Sequence, residues 1–389
     1  MALDFKKAAL IVGVSLTVIV IGSILYVSIK RWEQQSNDII VPGRFSDPSL
    51  KFVAVLFRHG NRAPSFKCST DTHKNYFPEG RMELTKKGKQ NMYKKGQIFR
   101  SLYNGFVSDL YLDSEILVRT TNTRRTFMSA AMVLAGMYPP KNYQKWSDSE
   151  TVWQPIPIYS DSPDHGTLFD ERGKCPAFDS MISKLPYQLN NHTDKSMTAL
   201  FSYLSEKCGQ PITNKNLIKL YDLLLCQMAD DLPPLEWIKP HHIETIKSTI
   251  RNSSTMFYEN HRFQKIVIGP LLYEIGMNIE SNSNNYNTTR KMHLYSGHDI
   301  SIKMAMNFLG STIELPDFGG SLHFHLYHDE INEHTIKIFF FDRWNNEEGK
   351  EVPIPICGDP CKFKDFQNIL KKNFSEEKEW AEECQNLES

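Results

Sequence analysis

The chain has no excess of either charge. Its 389 residues carry 45 Lys plus Arg against 45 Asp plus Glu, a formal net charge of zero. Nucleic-acid binders usually show a basic excess or stripe, so nucleic acid is not expected as a partner. No internal repeat or low-complexity tract stands out. Cysteine is sparse, with seven residues. Cys357 and Cys361 are separated by three residues and have no second pair, so the spacing of a zinc-finger array is missing. Apolar runs of membrane-spanning length are absent apart from one at the N-terminus. What is present suits a packed globular protein: 40% hydrophobic and 12% aromatic residues are too many for a disordered chain. The length calls for one large domain or two smaller ones.

The N-terminal exception is Ala8–Ile29, a charge-free run flanked by Lys6 and Lys7 before it and Lys30 and Arg31 after it. At about 1.5 Å per residue it can cross a bilayer core of about 30 Å. A cleaved signal peptide, cut after Gly22, is the alternative and would give a secreted protein. Its apolar core needs only about 7–15 residues, and this run continues well past that. An uncleaved signal anchor is therefore expected, with residues 1–31 as cytoplasmic tail and transmembrane helix and residues 32–48 as a short polar stalk. Four acceptor sequons follow, at Asn191, Asn252, Asn287 and Asn373. Beyond a membrane signal, cysteines read better as disulfides than as buried thiols. Anchor, sequons and cysteines together put everything after residue 31 in the lumen or outside the cell.

Beyond the stalk, Phe52–Phe57 is a continuous apolar run, as expected for a central strand covered on both faces. Residues 84–104 read as a helix, 115–118 as a short strand and 126–137 as a helix. Residues 139–165 form a Pro-, Ser- and Asp-rich excursion. Residues 148–260 read as a mainly helical insertion, with helices near 177–185, 196–206 and 216–229. A long helix over 256–280, open to a break at Gly269-Pro270, leads to a second apolar strand at 292–295 and a helix over 300–309. Two strands at 323–327 and 336–341 suggest an antiparallel pair at a sheet edge. The expected fold is α/β: a mostly parallel central sheet flanked by helices, built from 49–147 and 261–389, with the helical insertion between.

Three segments carry chemistry. Arg58-His59-Gly60-Asn61-Arg62-Ala63-Pro64 follows the first buried strand directly. Ligands of open α/β sheets bind at the carboxyl ends of strands, and Arg presents a planar fork of donors suited to phosphate. Arg119-Thr120-Thr121-Asn122-Thr123-Arg124-Arg125-Thr126 places cations at a helix start, where the dipole disfavours them unless an anion is met there. Ser296-Gly297-His298-Asp299 closes the second apolar strand; taken alone, Asp299 is an ordinary helix cap. His323 and His325 share one strand face, but no carboxylate or Cys ligand accompanies them, so a sheet-edge surface is expected and no metal. His241-His242 reads as loop surface, and Glu376–Glu383 as a solvated helix face with Trp380 packing it down.

Together these segments resemble the histidine acid phosphatases, specifically the branch of the prostatic and lysosomal enzymes. Arg-His-Gly-x-Arg-x-Pro, the Arg-Thr-x-x-Ser-Ala start at Arg125–Ala130, and a His-Asp pair far downstream carry the resemblance. Leu84-Thr85-Lys86-Lys87-Gly88 and Trp153-Gln154-Pro155-Ile156-Pro157 support it. It covers roughly residues 50 to 384. It implies hydrolysis of phosphate monoesters over a broad substrate range, with an acidic optimum, no cofactor and a homodimer. It implies His59 as nucleophile, Arg58, Arg62, Arg125 and His298 as phosphate ligands, and Asp299 as proton donor. The prostatic type usually has Asp where Asn61 stands. The pairs expected under the resemblance are Cys175–Cys384 and Cys357–Cys361, with Cys208–Cys226 as a third and Cys68 as the spare thiol. The rivals are a selective phosphatase on the same scaffold, phytase-like or acting on lysophospholipids, and an anchored binding protein in which turnover is unimportant.

Overall fold

A computed structural model of the protein describes residues 42–148, 153–160, 175–190, 195–284, 290–328, 333–374 and 377–387. The Ala8–Ile29 run and the sequons at Asn191 and Asn287 lie outside them. No helix among the described residues is long and apolar enough to cross a membrane. An eight-stranded sheet organises the chain. Strand β1 (Leu50–Arg58) lies at its middle, between β4 (Met292–Gly297) and β5 (Ser321–His328). Outside β4 lie β2 (Ile116–Thr120) and then β3 (Tyr159–Ser160). Outside β5 lie β6 (His334–Phe341), then β7 (Lys350–Val352) and β8 (Cys361–Lys362).

The sheet is mixed, which corrects the expectation of a mostly parallel one. β1, β2, β3 and β4 run parallel, whereas β5 to β8 join by antiparallel pairings. The connection lengths explain the change. Parallel neighbours need a crossover of a dozen residues or more, and the helices between β1 and β4 provide it. β5 and β6 are joined within a few residues and must form a hairpin.

The continuous apolar run of β1 arises because both faces are covered. Phe52, Ala54 and Leu56 pack into one core with helices α7 (His261–Asn284), α8 (Asp299–Phe308) and α9 (Phe363–Asn373). Val53, Val55 and Phe57 pack into another with α1 (Lys86–Leu102) and α2 (Arg124–Met137). Four helices, α3 (Pro176–Asn190), α4 (Lys195–Cys208), α5 (Asn214–Ala229) and α6 (Pro240–Glu259), stand between β3 and α7. A third cluster, with Leu204, Leu217, Leu220, Leu224 and Ile246, is built from α4, α5 and α6. His241 and His242 thus begin α6 and do not form a loop.

The expected long helix ends differently. The break falls at Asn260, between α6 and α7, and Pro270 sits inside an unbroken α7. Proline cannot donate to the carbonyl four residues earlier, so Ile266 O would be left without its helical partner. Trp380 of the C-terminal helix α10 (Glu377–Gln385) donates its indole N–H to that carbonyl at 2.9 Å.

The disulfides also need one correction. Cys175–Cys384 and Cys357–Cys361 are bonded, and Cys175–Cys384 ties the start of α3 to α10. Cys208 pairs with Cys68 rather than Cys226, which is buried as a free thiol. The loop after β1 runs against the end of α4, where Ser69 N donates to Cys208 O at 3.0 Å. The Cys68–Cys208 bridge spans 140 residues and leaves no mark in the local cysteine spacing.

Candidate active site

Sheet register assembles the site. Arg58 pairs across β1 and β4 with Gly297, and Thr120 pairs across β2 and β4 with Ser296. Three strands therefore end side by side. His59 N donates to Gly297 O at 3.1 Å, Thr121 N to Ser296 O at 3.1 Å, and Gly319 N to His59 O at 3.1 Å. Arg58 through Arg62, Thr121 through Arg125, and His298-Asp299 converge from segments far apart in the chain. Gly60 is required where it stands: a Cβ there would lie 2.6 Å from Met92 Cγ and 2.9 Å from Gly88 O. Ser129, in the second turn of α2, accepts from Gly60 N at 3.1 Å and donates to Arg125 O at 2.7 Å. The start of α2 is thereby fastened to the loop after β1.

The His59 ring is buried, 3% exposed. Its Nδ1 lies 2.9 Å from Gly60 O. A carbonyl only accepts, so Nδ1 carries the proton and Nε2 keeps its lone pair. Burial lowers the pKa of His59 well below the ordinary range, and the charges of Arg125, Arg58, His298 and Arg62 push it further down. Both effects favour the neutral ring. His298 caps α8, with its ring centroid 5.6 Å from that of His59. Arg125 Nη2 reaches His298 Nδ1 at 3.4 Å, so the neutral form of this ring carries its proton on Nε2, 3.2 Å from Thr121 Oγ1.

The arginines are held differently. Arg58 lies over the Phe318 ring at 4.1 Å, donates to Pro316 O at 2.7 Å and pairs with Asp299 at 2.9 Å. Arg62 makes a two-pronged pair with Asp222 of α5, at 2.7 and 3.2 Å. Asp222 also accepts from Ser65 N at 3.1 Å and Ser65 Oγ at 3.0 Å. The Nε atoms of Arg58 and Arg62 are buried without a hydrogen-bond partner among the described residues. Arg119 and Arg124 take other partners, Glu274 and Glu83. Partial burial pushes the Asp299 carboxyl up, but Arg58, His298 and Arg62 outweigh it and hold Asp299 below the usual carboxylate value. About a third of its side chain, 36%, remains open to solvent.

Asp222 was not legible in the sequence. It sits on α5, 160 residues from Arg62, with no local motif. Thr121 lies within the segment quoted for Arg125 and could have been suspected from it. The expected edge position of His323 and His325 is wrong: β5 is interior, and both rings are fully buried, hydrogen-bonded to Tyr103 just after α1. Among the sequons, Asn252 is exposed on α6. Asn373 ends α9 half-buried, donating to Ile369 O at 2.8 Å and contacting His261 at 3.1 Å.

Cations gathered around a neutral imidazole, at the carboxyl ends of adjacent strands, make an anion-handling site of the kind that α/β sheets present at their strand ends. A sequence model of the histidine phosphatase superfamily (branch 2) matches residues 49–341, and the chain belongs to that family. It is similar to lysosomal acid phosphatase of Xenopus laevis, 29% identical over 352 residues, covering 86% of this chain and 79% of that protein. It is also similar to prostatic acid phosphatase of Mus musculus, 28% identical, covering 88% and 90%. Among solved structures, a Hafnia alvei phytase in complex with tartrate superposes with a TM-score of 0.63 at 15% identity, covering 87% of this chain and 98% of that one. At that identity the likeness speaks for the fold.

Proposed function

We propose that this protein is an acid phosphatase that hydrolyses phosphate monoesters through a phosphohistidine on His59. The observation that carries the reading is the His59 ring: its Nδ1 is committed to Gly60 O, so its free lone pair is on Nε2, and the ring lies in the field of Arg125, Arg58 and Arg62. Arg58, Arg62, Arg125 and His298 are the phosphate ligands. A bound oxyanion supplies acceptors that the buried Nε–H groups of Arg58 and Arg62 lack. Nε2 attacks phosphorus, the P–O bond to the alcohol breaks, and Asp299 passes its proton to the departing oxygen. Water then attacks the phosphohistidine, Asp299 takes that water's proton, and the P–N bond breaks to release phosphate.

Asp299 acquires its proton through the substrate. A phosphate dianion offsets the cations that hold the carboxyl low, so the opposing effect of burial gains weight and the neutral form is favoured. That coupling supports an optimum in mild acid. The relatives' names support a lysosomal or secretory setting. The Ala8–Ile29 run supports a single N-terminal anchor, with the catalytic domain lumenal or extracellular and glycosylated. A broad substrate range and a homodimer complete the proposal. The test is to purify residues 32–389 and measure phosphate release over a panel of monoesters across pH. Release from several unrelated monoesters with an acid maximum is expected; no release from any of them would overturn the reading.

A further inference from the structure

Helix α5 touches the loop after β1 at two points. Asp222, Cys226 and Asp230 recur at intervals of four and so share one face of the helix, Asp230 being its C-cap. Asp222 holds Arg62 and Ser65. The second point is Asn61, buried at 2% exposure. Its Nδ2 donates to Ala229 O at 2.8 Å and to Asp230 Oδ1 at 3.3 Å, while its Oδ1 accepts from Asn91 Nδ2 at 3.2 Å. Thr85 Oγ1 also donates to Asp230, at 3.1 Å. Every partner of the Asn61 nitrogen is an acceptor, and its oxygen faces a donor. Only a neutral amide satisfies all of them.

We propose that Asn61 is a positioning residue: through Asp230 and Ala229 it pins the nucleophile loop to the C-terminal end of α5 and so sets the placement of His59 and Arg62. Backbone bonds tie this loop to β4, to Gly319 and to the start of α1, and Ser129 ties it to α2. Towards α5 it is held by side chains, Arg62 through Asp222 and, one residue away, Asn61 through Ala229 and Asp230. A carboxylate at position 61 would meet the Asp230 carboxylate and the Ala229 carbonyl, each an acceptor. Burial already raises the Asp230 carboxyl above its ordinary value, against the donors Thr85 and Asn61. Lys87 of α1, itself paired with Asp231, pulls it down, and Glu79 of the preceding loop pushes it up.

The inference rests on the phosphatase reading for its activity readout, and melting supplies an independent one. Wild type, Asn61→Asp, Asp230→Asn and the double variant are assayed for kcat, KM and thermal melting at about pH 7 and about pH 4.5. At pH 7, Asn61→Asp is expected to lower kcat/KM by about 10- to 100-fold, as for a displaced catalytic group. The loss relative to wild type shrinks at pH 4.5, where two facing carboxyls share a proton. The double variant restores a donor–acceptor pair at 61 and 230 but leaves the Ala229 carbonyl facing a carboxylate, so it recovers part of the loss in activity and melting at both pH values. Asn61→Asp equal to wild type at both pH values, or a double variant no better than the single, overturns the proposal. If Asn61→Asp does not fold while the double variant folds, the proposal stands; if neither folds, it falls. A wild type inactive on every monoester would sink only the phosphatase reading, because the order of melting temperatures still reports the coupling of Asn61 to Asp230.

Discussion

Two pairs of buried histidines belong to the same sheet, and only one stands at the strand ends. His59 and His298 follow the ends of β1 and β4; His323 and His325 lie in the middle of β5. Burial lowers the pKa of both His59 and His323 well below the ordinary value, and takes His325 to about 3. Depressed basicity therefore does not separate them. Hydrogen-bond capacity does. His323 uses both ring nitrogens, on Tyr103 Oη at 2.6 Å and Ser321 Oγ at 2.8 Å. His325 does the same with Tyr103 Oη at 2.8 Å and Tyr327 Oη at 3.1 Å. Hydroxyls both donate and accept, so this chain satisfies itself with neutral rings. His59 spends one nitrogen and keeps the other.

The largest expected difference between the pairs is in turnover. His59→Ala should lower kcat by at least about 10⁴-fold, because no neighbouring group can take over as nucleophile. His325→Gln, which keeps a donor and an acceptor in β5, should leave kcat within about twofold of wild type. A steady-state assay of both variants checks this, and a catalytic loss in His325→Gln comparable to that of His59→Ala would erase the distinction.

Next in size is Asp299→Asn, which keeps the start of α8 but removes the proton. Hydrolysis of alkyl phosphates should fall by about 10²–10⁴-fold. Nitrophenyl phosphate, whose leaving group is stable as an anion, should lose much less in the phosphoryl-transfer step. Transient kinetics must separate that step from phosphohistidine breakdown. Equal losses on both substrates would make Asp299 a phosphate-site residue instead.

The β5 side of the comparison shows itself in stability. Lys95 of α1 is fully buried between the rings of Phe99 and Phe341, with its Nζ 5.1 and 5.0 Å from their centroids. Burial brings its pKa down to about 7. Its folded value lies below the unfolded one, so the cost of the buried charge is present in full below pH 7 and fades as pH rises toward 10.5. Lys95→Met should therefore stabilise the protein by about 3–5 kcal/mol at pH 5 and by little at pH 10. Denaturant melts at the two pH values check it; a uniform gain would show that packing, not charge, is the cause.

The smallest effect concerns His325. Its folded pKa, about 3, lies below the unfolded value of 6.5. Stability is lost as pH falls from 6.5 toward 3, by about 2 kcal/mol at pH 5 from this residue alone. His325→Gln should flatten the fall of melting temperature between pH 6.5 and pH 4. An unchanged slope would mean that this ring does not set the acid limit.

The same contrast explains what could be read from the chain. The sequence around His59 and around His298-Asp299 was legible because each motif sits directly after an apolar run, and an apolar run signals a buried strand. The interior place of β5 was not, since strand order is set by long-range pairing: Ala54 with Phe324 and Val55 with His323 are separated by some 270 residues. Histidines on an apolar strand gave no local sign of the Tyr103 hydroxyl that joins them. The Asp222 pair and the Cys68–Cys208 bridge were hidden for the same reason, because both depend on how α4 and α5 fold back over the loop after β1. Pro270 misled in the opposite direction: it marks a helix break unless a distant donor serves the freed carbonyl, as Trp380 does.

The most direct measurement is to trap the covalent intermediate. The enzyme is mixed with a radiolabelled phosphate monoester, quenched in alkali within milliseconds and digested for peptide mapping. The expected result is an acid-labile, base-stable label on the peptide that contains Arg58-His59-Gly60, attached through Nε2 and absent from His59→Ala. Label on any other residue, or normal turnover in His59→Ala, would contradict His59 as the nucleophile.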